Sequence, residues 1–257
     1  MKERLDKIIV SGGMVKSREI ARALIIEGKV FVDGKKMTKP GTPVSDTSEI
    51  VLKQSELPFV GRGGLKLDAA LDFFSIEVQD EVIMDVGSST GGFTDCLLKR
   101  GAKKVYCVDV GYGQLAWSLR KDPRVIVLER TNIRYLDSEI EKQESRFSGL
   151  EFNDLLKGNI DMATIDVSFI SLRKVIPPVI KFLKEKGEVL ALVKPQFEVG
   201  KGEVGKGGIV REEEKRLKAV SAVREDLEKL GLQTVGIFQS PVHGQKGNVE
   251  YFLYMKR

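Results

Sequence analysis

The chain predicts an α/β fold: a mostly parallel sheet covered on both faces, with an antiparallel pair at one edge, preceded by a small basic α+β module. Three observations predict it. Apolar runs near 82–86, 105–110, 125–128, 161–167 and 188–193 alternate with helical patterns, the signature of a parallel sheet. Two later runs, near 233–239 and 249–255, have no helix between them and predict a hairpin-like pair at an edge. Ahead of all these, Leu5 to Leu52 reads as helices plus a hairpin, with a different charge balance.

Within that first module Ser17 is a good N-cap for a helix from Arg18 to Glu27, in which Ile20, Ala21, Leu24 and Ile25 make an apolar stripe. Gly28 supplies its stop. Arg18 and Arg22 are one turn apart and project together, and Lys29 follows the helix end. Alternating residues around Asp33-Gly34 predict a type I′ hairpin whose turn carries Lys35 and Lys36. Charge alone leaves this basic surface open to two readings, a solvated face or a nucleic-acid grip.

Glu56-Leu57-Pro58 breaks regular structure and reads as a linker, giving domains at 1–55 and 67–257 with 56–66 as linker and entry segment. A helix is expected from Leu67 to Phe74. The strand Val82-Ile-Met then runs into Asp85-Val-Gly87-Ser88-Ser89-Thr90-Gly91-Gly92-Phe93. A strand breaking into a glycine-rich turn and a helix presents bare backbone and free N–H groups, which suits a nucleotide-like group. The next strand ends in Asp109-Val110, where a carboxylate can accept from a ribose hydroxyl. Gly111-x-Gly113-x-x-Ala116 imitates a dinucleotide fingerprint, but Asp109 just before it would repel a pyrophosphate. Near the C-terminus a helix is expected from Arg211 to Leu230, with Glu212, Glu213 and Glu214 in its first turn and Gly231 past its end.

Composition narrows the functional classes. With 42% apolar and 31% charged residues among 257, the chain is ordinary globular material. No apolar run approaches the roughly 20 residues a membrane span needs, and Met-Lys-Glu-Arg-Leu-Asp is charged where a signal peptide needs an apolar core. A cytoplasmic protein without membrane contact is therefore expected. Cys96 and Cys107 fall in a helix and a strand and read as reduced packing residues, and with the single His243 no metal site is expected. A formal charge of +5 is a mild hint of a polyanionic partner.

Four charged residues stand at expected strand ends or the sheet entrance: Lys66, Asp166 in Thr-Ile-Asp-Val-Ser-Phe, Lys194 in Leu-Val-Lys-Pro-Gln-Phe, and Glu250 in Asn-Val-Glu-Tyr. Each alone could be a capping or solvated charge. Lysine directly after an apolar strand is nevertheless unusual, because an inward ammonium needs a partner. The glycines and charges from Glu198 to Gly208 form a loop directly after Lys194, where a lid would sit.

Several of these patterns resemble known families. Arg4-Leu-Asp-Lys followed by Ser17-Arg-x-x-Ala21-x-x-Leu24-Ile-x-x-Gly28-x-Val30-x-Val32-Asp33-Gly34 resembles the S4 RNA-binding domain. That resemblance implies an RNA grip near Arg4, Lys16, Arg18, Arg22, Lys29 and Lys35. The glycine turn with Asp109 resembles the cofactor half of the class I (Rossmann-like) S-adenosylmethionine-dependent methyltransferases. It implies that Asp85, Gly87, Ser88, Ser89, Thr90, Gly91, Gly92, Phe93, Asp109, Val110, Asn132 and Asp166 surround S-adenosylmethionine. Lys66, Asp166, Lys194 and Glu250 are similar in order and spacing to the Lys-Asp-Lys-Glu tetrad of FtsJ-like ribose 2′-O-methyltransferases.

With both halves in one chain, the whole resembles the TlyA, or haemolysin A, family, which implies 2′-O-methylation of cytidine in ribosomal RNA. Ribosomal RNA or ribosomal subunits are then the expected partners, with no obligatory protein partner. Lys194 would be the base, bracketed by Lys66 and Asp166, with Glu250 balancing charge. Ser88-Ser-Thr replaces the small residues and proline of FtsJ in the turn, a departure that fits the TlyA pattern. Two other classes stay in view: an RNA-binding, ribosome-associated protein with a vestigial site, and a membrane-active cytolysin.

Overall fold

The computed structural model describes residues 2–26, 28–52, 58–142, 155, 158–200, 202–244 and 246–257. The N-terminal module comprises β1 (Lys2–Arg4), α1 (Leu5–Ser11), α2 (Arg18–Ile26), β2 (Val30–Val32), β3 (Lys35–Met37), β4 (Pro43–Ser45) and β5 (Ile50–Leu52). Ser17 Oγ accepts from Ile20 N at 3.4 Å and so starts α2. Gly28 N donates to Ile25 O and Lys29 N to Leu24 O, a Schellman closure made possible by the +69° φ of Gly28. Glu27, expected as the last helical residue, lies outside the described residues. Asp33 and Gly34 have φ of 48° and 74°, and Val32 pairs with Lys35 across them, as the type I′ turn requires. Leu5, Ile9, Ala21, Ile25, Val30, Val32 and Val44 form the small core, while Ile20 and Leu24 are only half-buried.

Of the expected linker, Glu56 and Leu57 lie outside the described residues. Past it come α3 (Arg62–Phe74), β6 (Val82–Val86), α4 (Gly92–Lys99), β7 (Lys104–Val108), α5 (Trp117–Arg120), β8 (Val125–Leu128) and α6 (Leu136–Glu141). Then follow β9 (Ile160–Ile165), α7 (Leu172–Ile180), β10 (Leu183–Val193), α8 (Pro195–Glu198), α9 (Glu213–Glu228), β11 (Gln233–Gln239) and β12 (Tyr251–Lys256). The helix expected from Leu67 begins five residues earlier, at Arg62, so Lys66 belongs to the helix and not to an entry segment. The helix expected from Arg211 to Leu230 is shorter at both ends.

Among the described residues seven strands form one sheet in the order β11-β12-β10-β9-β6-β7-β8. β6 to β10 pair in parallel; β12 is antiparallel to both of its neighbours and lies one strand in from the β11 edge. Alternate strand residues enter two cores. Met84, Val86, Ala163, Ile165, Val189 and Ala191 pack under α7 and α9. Ile83, Val105, Met162, Leu190 and Phe252 pack under α3 and α4. Burial on both faces explains why these strands read as mostly apolar runs and not as alternating ones. The chain leaves β6 toward β7 on one side and reaches β9 on the other, so a crevice opens between the C-terminal ends of β6 and β9. A ligand site is expected at such a reversal point, and Gly87 and Asp166 flank it.

Candidate active site

At that crevice lies a cavity of about 660 Å³, within the range of small-molecule sites. One wall is the turn from Gly87 to Phe93. Gly87 has φ of +84°, and a Cβ there would stand 2.6 Å from the Asp166 carbonyl oxygen. A Cβ on Gly92 would stand 2.9 Å from Gly64 N. These glycines therefore bring the turn against the Asp166 loop and the start of α3, so the close approach they permit is of protein to protein and not, as the glycine-rich sequence suggests, to a ligand. Ser88, Ser89, Thr90, Gly92 and Phe93 line the cavity.

Asp109 lies just past β7 and holds this turn: Oδ2 accepts from Ser89 N at 2.8 Å and Oδ1 from Gly111 N at 2.6 Å. Asp85 is fully buried beneath it, accepting from Thr94 Oγ1 at 2.7 Å and Thr164 Oγ1 at 3.3 Å. Burial pushes its carboxyl up to about 7, against the Thr94 hydroxyl bond, and the nearby Asp166 carboxylate pushes the same way. Asn132 Oδ1 is taken up by Arg134 N and Nε, and Val110 is exposed. Asp85, Gly91, Asp109, Val110 and Asn132 are not among the residues lining the cavity. Gly91 packs under α5, where a Cβ would meet Leu119.

The same cavity brings together the four charges singled out from the sequence. Lys66, Asp166, Lys194 and Glu250 all line the cavity. They meet as two ion pairs: Lys66 Nζ to Glu250 Oε2 at 2.6 Å, and Lys194 Nζ to Asp166 Oδ1 at 2.6 Å. The structure thus gives each ammonium its own carboxylate, and the set sums to zero formal charge. Lys194 also donates to Ser168 Oγ at 2.9 Å. Ser168 was not singled out from the sequence, and neither was Phe169, which is 90% exposed with φ of +64° and stands at the cavity beside Phe197. Val204 and Gly208 of the expected lid loop also line the cavity, and Asn248 holds that loop by accepting from Val210 N and donating to Gly208 O.

On the N-terminal module, Arg4 and Arg18 do not project freely. Both bind Asp6, which is wholly buried: Arg4 Nε and Nη2 each at 3.0 Å, Arg18 Nε at 3.0 Å. About half of each arginine side chain stays exposed. Lys16, Arg22 and Lys35 are exposed, whereas Lys29 is half-buried. Among the described residues no helix is long and apolar enough to cross a membrane, and no group of three or more His, Cys, Asp or Glu is placed to hold a metal.

A doubly covered parallel sheet, a glycine turn at its reversal point and a second wall of paired lysines and carboxylates define a class I methyltransferase, with S-adenosylmethionine as methyl donor. The residues present fit that donor: Ser88, Ser89 and Thr90 bring small polar groups to the cavity, and Lys66 and Lys194, each neutralised by its own carboxylate, add no net repulsion toward a sulfonium. Residues 59–257 match the FtsJ-like methyltransferase family and residues 3–50 the S4 domain. The chain belongs to the TlyA family of FtsJ-like methyltransferases.

It is 46% identical over 254 residues to the 16S/23S rRNA (cytidine-2'-O)-methyltransferase TlyA of Mycobacterium tuberculosis, covering 98% of this chain and 89% of that one. A solved structure described as a putative hemolysin from Streptococcus thermophilus superposes with a TM-score of 0.70 at 40% identity, covering 100% of this chain and 88% of that chain. A putative S-adenosylmethionine dependent methyltransferase from Listeria monocytogenes, 14% identical, shares the fold at a TM-score of 0.51, over 76% of this chain and 98% of that chain.

Proposed function

We propose that this protein methylates the ribose 2′-hydroxyl of a cytidine in ribosomal RNA, with Lys66, Asp166, Lys194 and Glu250 as the reacting set and the S4 module as the RNA grip. The observation that carries this reading is the Lys194–Asp166 pair at the crevice, lining the same cavity as the glycine turn. The 46% identity to a 16S/23S rRNA (cytidine-2'-O)-methyltransferase supports the substrate.

Bound S-adenosylmethionine supplies an activated methyl group on a sulfonium. The protein's share is to hold the hydroxyl in line and to take its proton. A ribose hydroxyl is a very weak acid, so the acceptor must be oriented closely. Lys194 Nζ, held from two sides by Asp166 and Ser168, must first give a proton to water, and Asp166 then stabilises the ammonium that re-forms when Nζ accepts the hydroxyl proton. Lys66 and Glu250, nearly buried at 9% and 3% side-chain exposure, supply a fixed dipole on the same wall. The exposed ring of Phe169 suits a base turned out of an RNA stack. Ser88, Ser89, Thr90 and Phe93, in the turn that Asp109 fixes, are the residues that would hold the donor.

The test is methyl incorporation from labelled S-adenosylmethionine into free ribosomal RNA and into both ribosomal subunits, with mass spectrometry of the ribose-methylated nucleotides. One 2′-O-methylcytidine is expected. Incorporation into a base, or none with the donor bound, sinks the proposal.

A further inference from the structure

The segments carrying Lys194 and Asp166 are tied together by a contact that the reaction itself does not use. β9 and β10 are neighbouring parallel strands, but their last register pair is Ala191 with Ile165. Asp166 lies one residue past that pair and Lys194 three residues past it. Backbone pairing between the two strands therefore ends before the residues whose separation matters. Beyond it, Lys194 opens into the four-residue helix α8, and Asp166 into the loop that ends at Ser171, the N-cap of α7.

Glu198, the last residue of α8, spans this gap. Ser171 Oγ donates to its Oε2 at 2.6 Å and Leu172 N donates to its Oε1 at 2.8 Å. The same Ser171 oxygen accepts from Arg173 N at 3.2 Å, so the serine is fixed in turn. One carboxylate closes the first turn of α7, where orphan amides and the helix dipole favour an anion. The rings of Phe169 and Phe197, 5.1 Å apart, pack across the same gap. A glutamate this enclosed pays for desolvation, and burial pushes its carboxyl above the usual range against the Ser171 and Leu172 bonds.

We propose that Glu198 is a positioning residue for methyl transfer, a latch that fastens the Lys194 turn to the Asp166–Ser171 loop and so sets the Lys194–Asp166 geometry. This inference rests on the reading of Lys194 and Asp166 as transfer residues. Its signature is selective: among the described residues the side chains of Glu198 and Ser171 bond to neither the glycine turn nor the N-terminal module.

The experiment compares Glu198→Ala, Ser171→Ala, their double variant and Glu198→Gln in single-turnover transfer to ribosomal RNA at saturating donor. A misplacement near 1 Å costs on the order of 100-fold in rate. Each alanine variant is therefore expected to lose about 10- to 100-fold, and the double variant no more than the worse single, because both remove one contact. Glu198→Gln, of the same shape and still able to accept from Leu172 N, should keep its rate within about threefold of wild type. Donor affinity by calorimetry and the KM for RNA should stay unchanged throughout.

Wild-type rates in the alanine variants overturn the latch. So does a loss of rate that is matched by lost donor affinity and a lowered melting temperature, which marks a merely structural role. If Glu198→Ala does not fold, Ser171→Ala alone decides by the same readouts. Lys194→Ala, run beside them, separates the two layers: an active Lys194→Ala sinks the tetrad reading, whereas an inactive one beside a fully active Glu198→Ala sinks only the latch.

Discussion

Lys66 Nζ lies 2.6 Å from Glu250 Oε2, joining α3 to the residue just ahead of β12 across 184 positions of sequence. Both side chains are nearly buried, so the pair has been taken out of water on both sides. A buried pair adds little net stability once desolvation is counted, but removing one partner strands the other charge. Gly244 marks how tightly the carboxylate is held, since a Cβ there would stand 2.5 Å from Glu250 Oε1.

Lys66→Met should therefore destabilise the protein by about 3–5 kcal/mol, and the double variant Lys66→Met with Glu250→Leu should recover most of that loss. The single variant's melting temperature is expected to fall by roughly 6–20 °C for a domain of this size. Both variants should be inactive. A double variant no more stable than the single would mean that the carboxylate has another compensating partner.

Asp85 leads to a pH dependence. Its folded-state pKa is raised to about 7, above an unfolded value near 3.9, so the native state holds a proton that the unfolded chain has lost. Its stabilising contribution is fully present below about pH 4 and disappears as pH rises through about 7, at most about 4 kcal/mol in all. Asp85→Asn should flatten this slope between pH 4 and 7 in chemical denaturation curves. Parallel slopes for variant and wild type would show that another group titrates, the half-buried Glu81, also raised to about 7, being the alternative.

Much of this fold is legible in sequence because burial on both faces of β6, β7, β9 and the end of β10 leaves mostly apolar runs bounded by glycine and charge. The start of α3 is not legible. Gly61, Gly63 and Gly64 argue against a helix on intrinsic propensity, and contact with Gly92 and Phe93 outweighs that preference. The first half of β10, Leu183 to Gly187, reads as a polar turn and pairs irregularly. At the site, Lys194 and Asp166 stand out because each follows an apolar strand. Ser168 and Glu198 are ordinary loop residues until the fold brings them to Lys194 and Ser171, and nothing in spacing shows that Asp6 holds Arg4 and Arg18.

That Asp6 arrangement separates two roles within the basic face. Burial pushes Asp6 up, but the Arg4 and Arg18 guanidiniums outweigh it and hold the carboxyl below its usual range. Its contribution to stability is present above its unfolded pKa and is lost as pH falls through the lower folded value. Arg18→Glu would thus disturb the module as well as its surface. Arg22 and Lys35, exposed and away from Asp6, are the cleaner probes. Charge reversal of both should weaken binding to ribosomal RNA and lower the slope of log affinity against log salt by about 1 to 2, with donor affinity unchanged. An unaltered slope would mean that this face is only solvated.

Lys194 offers the sharpest test of the proposed chemistry. Lys194→Ala should abolish transfer while leaving affinities for donor and RNA near wild type, because its part is played in the displacement step. It should also leave Asp166 without its ion-pair partner, at 21% side-chain exposure, so folding must be checked in the same preparation. Lys194→Arg keeps the positive charge and can still pair with Asp166 and Ser168. A guanidinium cannot give up its proton in a protein, so the arginine variant should be nearly as inactive as alanine if this position accepts the hydroxyl proton. Substantial turnover by Lys194→Arg would leave this position with orientation and charge alone, and the proton would then have to leave to water after the methyl group has moved.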